Sequence, residues 1–222
     1  AILSGMRPKE KLALQDSLPA RPSGVREFLA ELKANSSVSG YHYVPAREPK
    51  LVNVPDDLDP AVREVLRGRG IQQLYSHQLE SFRLAADGKN VVVVTPTASG
   101  KTLCYNLPVL DRIVKNPSAR ALYLYPTKAL TYDQLDDLMR WTDALGRDIG
   151  VFSYDGDTPQ DARVAVRSKG HIILSNPDML HKGILPHHTK WARLFENLEY
   201  VVVDELHTYR GNFGSHVANL FR

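Results

Sequence analysis

The sequence Val91-Val92-Val93-Val94-Thr95-Pro96-Thr97-Ala98-Ser99-Gly100-Lys101-Thr102 decides the fold class of this chain. The four valines predict a strand that is buried on both faces, since parallel sheets covered by helices on each side have continuous apolar strands. The chain then turns and passes through Gly-Lys-Thr into residues that favour a helix. A tight turn between a strand and a helix with this ending is typical of a phosphate-binding loop.

Different groups of such a loop make different contacts with the nucleotide and its metal ion. Inward-pointing backbone N–H groups surround the phosphates, and the N-terminus of the following helix adds its positive dipole. Lys101 reaches the β- and γ-phosphate oxygens, and the Thr102 hydroxyl ligates Mg²⁺. Thr95 stands where the usual pattern has its first glycine, and a surface turn is the alternative interpretation. The candidate nucleotide-binding residues of the loop are Thr97, Ala98, Ser99, Gly100, Lys101 and Thr102.

Composition excludes several classes of protein. The 222 residues are 43% hydrophobic, which suffices for a buried core, and no apolar run is long enough to span a membrane. The single cysteine, Cys104, excludes an internal disulfide and a cysteine-rich zinc module, which suits a reducing compartment. No secretory signal is visible over residues 1–10. We therefore expect no membrane partner and a cytoplasmic location, at the nucleoid in a bacterium or in the nucleus of a eukaryote.

Strands and helices are predicted to alternate through most of the chain. Five apolar runs have strand character, and each is followed by a polar cluster and by helical spacing. This alternation predicts an α/β fold with a doubly wound parallel sheet, in which ligands bind beyond the carboxyl ends of the strands. Residues 1–55 are predicted to form an accessory extension, and residues 56–222 the nucleotide-binding domain. The strands are predicted at 91–94, 121–125, 149–153, 171–175 and 200–203, with a short further strand at 41–44 and a helix over 25–35.

The segment Leu74-Tyr75-Ser76-His77-Gln78 precedes the loop and has two interpretations. Ser76 is a suitable N-cap for a helix through residue 86, and in that reading Gln78 is only a first-turn residue. Alternatively, the Gln78 amide reads adenine, since an amide both donates and accepts hydrogen bonds. Tyr75 would then pack on the base.

Two acids follow the last predicted strand. Asp204 can hold Mg²⁺, directly or through water, and Glu205 can orient and deprotonate the attacking water. A solvated strand end is the alternative, but the joint occurrence with Gly-Lys-Thr after another apolar run favours an NTPase. No guanine-reading Asn-Lys-x-Asp sequence is present, so ATP with Mg²⁺ is the predicted ligand.

The order of these motifs resembles the first RecA-like domain of a superfamily 2 helicase. The residues that make up these motifs are similar to those of the Hrq1/MrfA group of DNA-repair helicases, and the resemblance covers residues 50–222. The box Asp-Glu-Leu-His, in place of Asp-Glu-Ala-Asp, argues against the DEAD-box RNA enzymes. The segments that match are 74–78, 95–102, 125–130, 175–180 and 204–207.

The resemblance implies an ATP-dependent 3′–5′ DNA helicase or translocase with a role in repair. It implies a second RecA-like domain in the complete protein, which supplies an arginine finger, and single-stranded or forked DNA as partner. His207 would couple the nucleotide state to DNA, and this piece alone would be nearly inactive. An RNA helicase motor, a nucleotide-gated scaffold or DNA-binding module, and a small-molecule kinase are the alternatives, and no oligomeric state is predicted. The implied nucleic-acid contacts are Pro126, Thr127, Lys128, Asp155, Gly156, Asp157, Ser175, Asn176 and Pro177.

Overall fold

A computed structural model of the chain describes residues 24–35, 37–40, 42, 48–96 and 98–222. The predicted strand at 41–44 falls almost wholly outside these residues. The strands of the described part are β1 (Leu51–Asn53), β2 (Gln73–Tyr75), β3 (Arg120–Leu124), β4 (Gly150–Ser153), β5 (Gly170–Ser175) and β6 (Leu198–Val203). Antiparallel pairing joins β1 to β2, and the other four strands form a parallel sheet in the order β4-β5-β3-β6.

Helices precede and connect these strands. They are α1 (Val25–Ala34), α2 (Pro60–Gly68), α3 (Ser76–Ala86), α4 (Lys101–Lys115), α5 (Lys128–Leu145), α6 (Gln160–Lys169), α7 (Pro177–Met179), α8 (Ala192–Glu196) and α9 (Gly211–Leu220). A π-helical turn over Leu180–Ile184 and 3-10 segments over Leu185–Trp191 and Leu206–Thr208 complete the described helical structure. None of the helices in the described residues combines the length and the apolar character of a membrane span.

Short-range signals explain where the helices begin and end. The Asp59 carboxylate accepts a hydrogen bond from the backbone N–H of Ala61 at 2.8 Å, which caps α2 ahead of its first-turn proline. Thr127 caps α5 by accepting from the backbone N–H of Leu130 at 3.3 Å. The same helix ends at Gly146, whose φ of 60° requires a residue without a Cβ.

The strand β3 lies at the centre of the core and is buried along its whole length. Its side chains alternate between the two faces of the sheet, as the period of two requires. Ala121 and Tyr123 pack into a core that includes residues of α2 to α5, whereas Leu122 and Leu124 pack with residues of α6 to α8. Helices therefore cover both faces of a parallel sheet, and the predicted doubly wound α/β fold is confirmed.

The prediction of a buried strand over residues 91–94 is wrong for this structure. These residues form no strand pairing, and the exposed fractions of Val92 and Val94 are 73% and 89%. A cavity of about 280 Å³, lined by Val91, Val93 and residues of β6, separates the segment from the edge of the sheet. Strands hydrogen-bond only at a spacing of about 4.8 Å, so apolar, β-branched composition alone does not make one here.

Contacts divide the chain into two compact units, Ala1–Glu48 and Pro49–Arg222. The first includes α1, which begins and ends within a residue of its predicted bounds. The second includes β1, because Val52 pairs with Leu74 of β2. Residues 49–55, assigned by sequence to the extension, therefore belong to the larger unit.

Candidate nucleotide-binding site

The loop before α4 is closed by its own side chains. The hydroxyl oxygens of Thr95 and Ser99 lie 2.6 Å apart, so the threonine that replaces the first glycine bridges the two ends of the loop. Ala98 has a φ of 59°, a left-handed conformation that is strained for a residue with a Cβ. Thr97, one of the predicted ligand-binding residues, lies outside the described residues.

Lys101 is the first residue of α4, and its ammonium group turns back onto the loop. The Nζ atom donates to the carbonyl oxygens of Thr95 and Pro96, each at 3.1 Å. Phosphate oxygens would be stronger acceptors for this ammonium than neutral carbonyls, because both partners would then be charged. The lysine is thus held against the loop by these two carbonyls, and its binding to phosphate stays a prediction.

Gly100 is the residue at which α4 meets the upstream segment. Its φ is 74°, and a Cβ added there would lie 2.6 Å from the Nε2 atom of Gln78. Both the backbone conformation and this close approach require glycine.

Gln78 is buried and bonds to the backbone on both sides. Its Oε1 accepts from the N–H of Tyr75 at 2.9 Å, and its Nε2 donates to the carbonyl of Gly100 at 2.9 Å. Tyr75, rather than the predicted Ser76, is the N-cap residue of α3. One N–H and one lone pair of the amide therefore form hydrogen bonds within the protein. Recognition of adenine by Gln78 stays a prediction.

His77 is a second anchor of the loop that the sequence interpretation did not identify. Its Nε2 lies 3.0 Å from the carbonyl of Ser99, and its ring stacks on Tyr75 with 5.5 Å between centroids. Tyr75 keeps 37% of its surface exposed, which leaves an aromatic surface beside the loop. The segment containing these residues thus fixes the loop from one side.

The two acids lie at the end of β6. The Oδ1 atom of Asp204 accepts from the N–H of Glu205 at 2.8 Å, and its Oδ2 accepts from the Tyr105 hydroxyl at 3.1 Å. Glu205 has a φ of 50°, the left-handed region again, and its Oε2 lies 3.1 Å from Nδ1 of His207. Backbone strain of this kind is concentrated at functional sites and costs about 1–3 kcal/mol.

Thr102 and Asp204, the predicted Mg²⁺ ligands, both lie close to the Tyr105 hydroxyl. Burial raises the pKa of that hydroxyl, the negative charge of Asp204 raises it further, and the Thr102 side chain lowers it. A hydroxyl and a carboxylate are oxygen ligands of the kind that Mg²⁺ prefers, with water and phosphate completing its shell. The residues present therefore fit this ion.

The predicted nucleic-acid contacts lie at neighbouring strand ends, after β3, β4 and β5. Thr127, Lys128 and Gly156 are exposed, and Lys128 forms an ion pair with Asp157 across two of the segments. Pro126 and Asn176 are partly exposed, and Asn176 caps α7.

Three of the predicted nucleic-acid side chains are buried. The Ser175 hydroxyl donates to the carbonyl of Tyr154 at 2.7 Å, so this side chain braces the strand ends and is not exposed for a phosphate. Asp155 accepts from the Tyr132 hydroxyl at 3.2 Å and is also buried, as is Pro177.

The chain is similar to known helicases in sequence and in structure. The family model described as DEAD/DEAH box helicase matches residues 75–222. The ATP-dependent helicase YprA of Bacillus subtilis is 52% identical over 91% of this chain, and the ATP-dependent helicase HRQ1 of Saccharomyces cerevisiae is 39% identical over 89%. The crystal structure of the helicase MrfA bound to DNA and AMPPNP matches 88% of the chain with 54% identity and a TM-score of 0.84.

The chain spans only part of these relatives. It covers 27% of YprA, 19% of HRQ1 and 28% of the MrfA chain. What the relatives do as whole proteins therefore involves residues beyond the region that matches.

Gln78→Ala tests whether the amide anchors the loop. Loss of the hydrogen bond to Gly100 loosens the loop, so we expect the affinities for ATP and GTP to fall together, by roughly three- to tenfold for one buried hydrogen bond. Isothermal titration calorimetry of the chain with each nucleotide and Mg²⁺ measures both affinities.

Gln160→Ala is the matched control, because Gln160 is exposed at the start of α6. It should leave both affinities unchanged. A loss confined to ATP in Gln78→Ala would contradict the anchoring role and support adenine reading.

Proposed function

Because the chain belongs to the DEAD/DEAH box helicase family, we propose that residues 56–222 form the first RecA-like, ATP-binding motor domain of a 3′–5′ DNA helicase. The observation that supports this most directly is the 3.1 Å contact between the Tyr105 hydroxyl and Asp204. It holds the helix that begins at Lys101 against the strand that ends at the two acids. Lys101 and Asp204 line the same cavity of about 280 Å³, which supports a phosphate-binding role for the lysine beside a metal-binding role for the carboxylate.

Each residue of the site has a part in hydrolysis. Lys101 would exchange its loop carbonyls for the β- and γ-phosphate oxygens. Thr102 and Asp204 would hold Mg²⁺, and the ion would supply positive charge to neutralise those oxygens. Glu205 orients a water and accepts its proton as the water attacks the γ-phosphorus. His207, 3.1 Å from Glu205, is suited to transmit the state of that carboxylate to DNA or to a facing domain.

A second RecA-like domain would complete the site. The relatives extend well beyond the matched region, and an arginine finger from a facing domain is worth roughly 10³–10⁵ in the rate of related NTPases. We therefore expect residues 1–222 alone to bind nucleotide weakly and to hydrolyse it near background.

DNA is the favoured nucleic acid. MrfA, which is 54% identical over the matched region, was crystallised with DNA, and the Asp-Glu-Leu-His box departs from that of the DEAD-box RNA enzymes. The exposed Thr127, Lys128 and Gly156 lie at adjacent strand ends, where phosphate contacts position a strand without reading its sequence. A role in DNA repair follows by analogy with the Hrq1/MrfA group of helicases, which the motifs of this chain resemble.

Lys101→Ala tests the phosphate-binding assignment. The ammonium contacts the loop and not the core, so we expect an unchanged melting temperature and a fall in affinity for ATP with Mg²⁺ of roughly tenfold or more. Calorimetry measures the affinity, with Lys169→Ala, exposed at the end of α6, as control. Equal affinities in Lys101→Ala and the parent would overturn the assignment.

Glu205→Gln tests the general base in the complete protein. An amide cannot accept the proton of the water, so turnover should fall by about 10²–10⁴ while nucleotide affinity stays within a factor of two or so. Steady-state phosphate release and equilibrium binding separate these quantities. Turnover within a few-fold of the parent would mean that another group is the base.

Lys128→Ala tests the DNA interface in the complete protein. Removal of one phosphate contact should weaken single-stranded DNA binding and lower the slope of log affinity against log salt by about 0.7. Fluorescence anisotropy over a salt series measures this, and Lys169→Ala, at the opposite end of β5 from the predicted contacts, should leave the slope unchanged. Stronger binding of RNA than DNA by the parent would favour the RNA-motor alternative. DNA-stimulated hydrolysis without unwinding would favour the nucleotide-gated module.

A further inference from the structure

The Asp204 carboxylate is held by two donors in the described part of the chain. The backbone N–H of Glu205 fixes Oδ1 at 2.8 Å, and the Tyr105 hydroxyl fixes Oδ2 at 3.1 Å. The first donor belongs to the neighbouring residue and follows wherever the backbone goes. Tyr105 is 99 residues away in sequence. Of the two donors, only Tyr105 therefore connects the carboxylate to a different element of the fold, the helix α4.

Tyr105 lies on the same side of α4 as Lys101 and Thr102. It is four residues after Lys101 and three after Thr102, which are the spacings that place side chains on one side of a helix. One helix therefore presents the phosphate-binding lysine, the hydroxyl for Mg²⁺ and the hydroxyl that holds Asp204. A rotation or shift of α4 would move all three together.

The ring of Tyr105 is fixed by its packing. It meets the ring of Tyr123 edge to face, with 5.5 Å between centroids and an interplanar angle of 89°. Tyr123 is fully buried, and its own hydroxyl donates to Asn106 at 3.1 Å. The donor aimed at Asp204 thus has little freedom to turn away.

Another acceptor competes for the same proton. The Oε1 atom of Gln134, on α5, lies 3.4 Å from the Tyr105 hydroxyl. Asp204 is both nearer and charged, and hydrogen bonds to charged acceptors are about twice as strong as those between neutral groups. The Tyr105 hydroxyl therefore donates its proton to Asp204 rather than to Gln134.

Two other tyrosines near Asp204 do not share this role. Burial and the charge of Asp204 raise the pKa of Tyr209 to about 12, yet its buried hydroxyl has no hydrogen-bond partner in the described residues. The buried hydroxyl of Tyr125 lies near that of Tyr105 and makes no hydrogen bond to Asp204 in the described residues.

We propose that Tyr105 is a positioning residue that holds the Asp204 carboxylate in the orientation required to bind Mg²⁺ with the nucleotide. The proposal rests on the proposed function, because it assumes that Asp204 takes part in Mg²⁺ binding. Each carboxylate oxygen accepts one hydrogen bond and keeps a lone pair for the ion or for its water. Without Tyr105, the carboxylate would have to be ordered when the ion binds, at a cost in affinity.

Tyr105→Phe removes the donor and keeps the ring. Loss of a partner that orients a metal ligand lowers metal affinity by about 10- to 100-fold, so the Mg²⁺ concentration for half-maximal ATP binding should rise by about that factor. ATP affinity in EDTA should not change, because the hydroxyl has no contact with the loop lysine. Equilibrium fluorescence with labelled ATP over a Mg²⁺ series measures both quantities in the present chain and in the complete protein.

Tyr123→Phe is the matched control. It removes a hydroxyl with a hydrogen bond of the same length from the adjoining ring, without touching Asp204. It should leave the Mg²⁺ requirement unchanged. An equal rise in both variants would mean that general loosening of the core is responsible, and would overturn the proposal.

A double-mutant cycle with Asp204→Ala separates positioning from stability. If Tyr105 acts through this carboxylate, Tyr105→Phe should change the Mg²⁺ requirement no further once Asp204 is absent. The same additional shift in both backgrounds would overturn the proposal. If the complete protein shows no Mg²⁺-dependent binding of ATP, the proposed function fails; if it shows such binding and its Tyr105→Phe variant matches it, only the positioning role fails.

Discussion

Hydrogen bonding of β3 to both β5 and β6 is the constraint on which the rest of this structure depends. The three strands are parallel, and Leu124 pairs with Ser175 on one side and with Val203 on the other, so all three end at the same level. The alignment continues one residue further, because the N–H of Tyr125 bonds to Ser175 at 2.9 Å and that of Asp204 bonds to Leu124 at 3.0 Å. Polar residues that are far apart in sequence therefore meet at one edge.

Protein groups form hydrogen bonds with one another at this edge. The ammonium of Lys101 bonds to two loop carbonyls, and the Gln78 amide holds Gly100. In the described residues, the non-glycine residues with positive φ are Ala98 and Glu205, one in each of the two nucleotide motifs. Strain at both places persists because the surrounding hydrogen bonds fix the backbone.

The segment at residues 91–94 shows where local pattern is insufficient. Its composition satisfies every local criterion for a buried strand, yet Val92 and Val94 are largely exposed and face no partner strand in the described residues. A helix makes its hydrogen bonds within itself, so the bounds of α1 and α3 could be predicted to within a residue or two. A strand needs a neighbouring edge, and whether one lies within reach is decided by the rest of the fold.

The sequence by itself determined the fold class, and it predicted a phosphate-binding loop and a pair of acids at a strand end, because residue type, spacing and the alternation of strands with helices specify these features. Only the tertiary structure decided which side chains are available. It turned the Gln78 amide onto Gly100, buried the Ser175 hydroxyl, and brought Tyr105 onto Asp204 across 99 residues of sequence. Such contacts depend on how α4 packs against the parallel sheet, and no spacing along the chain encodes a distance between two elements.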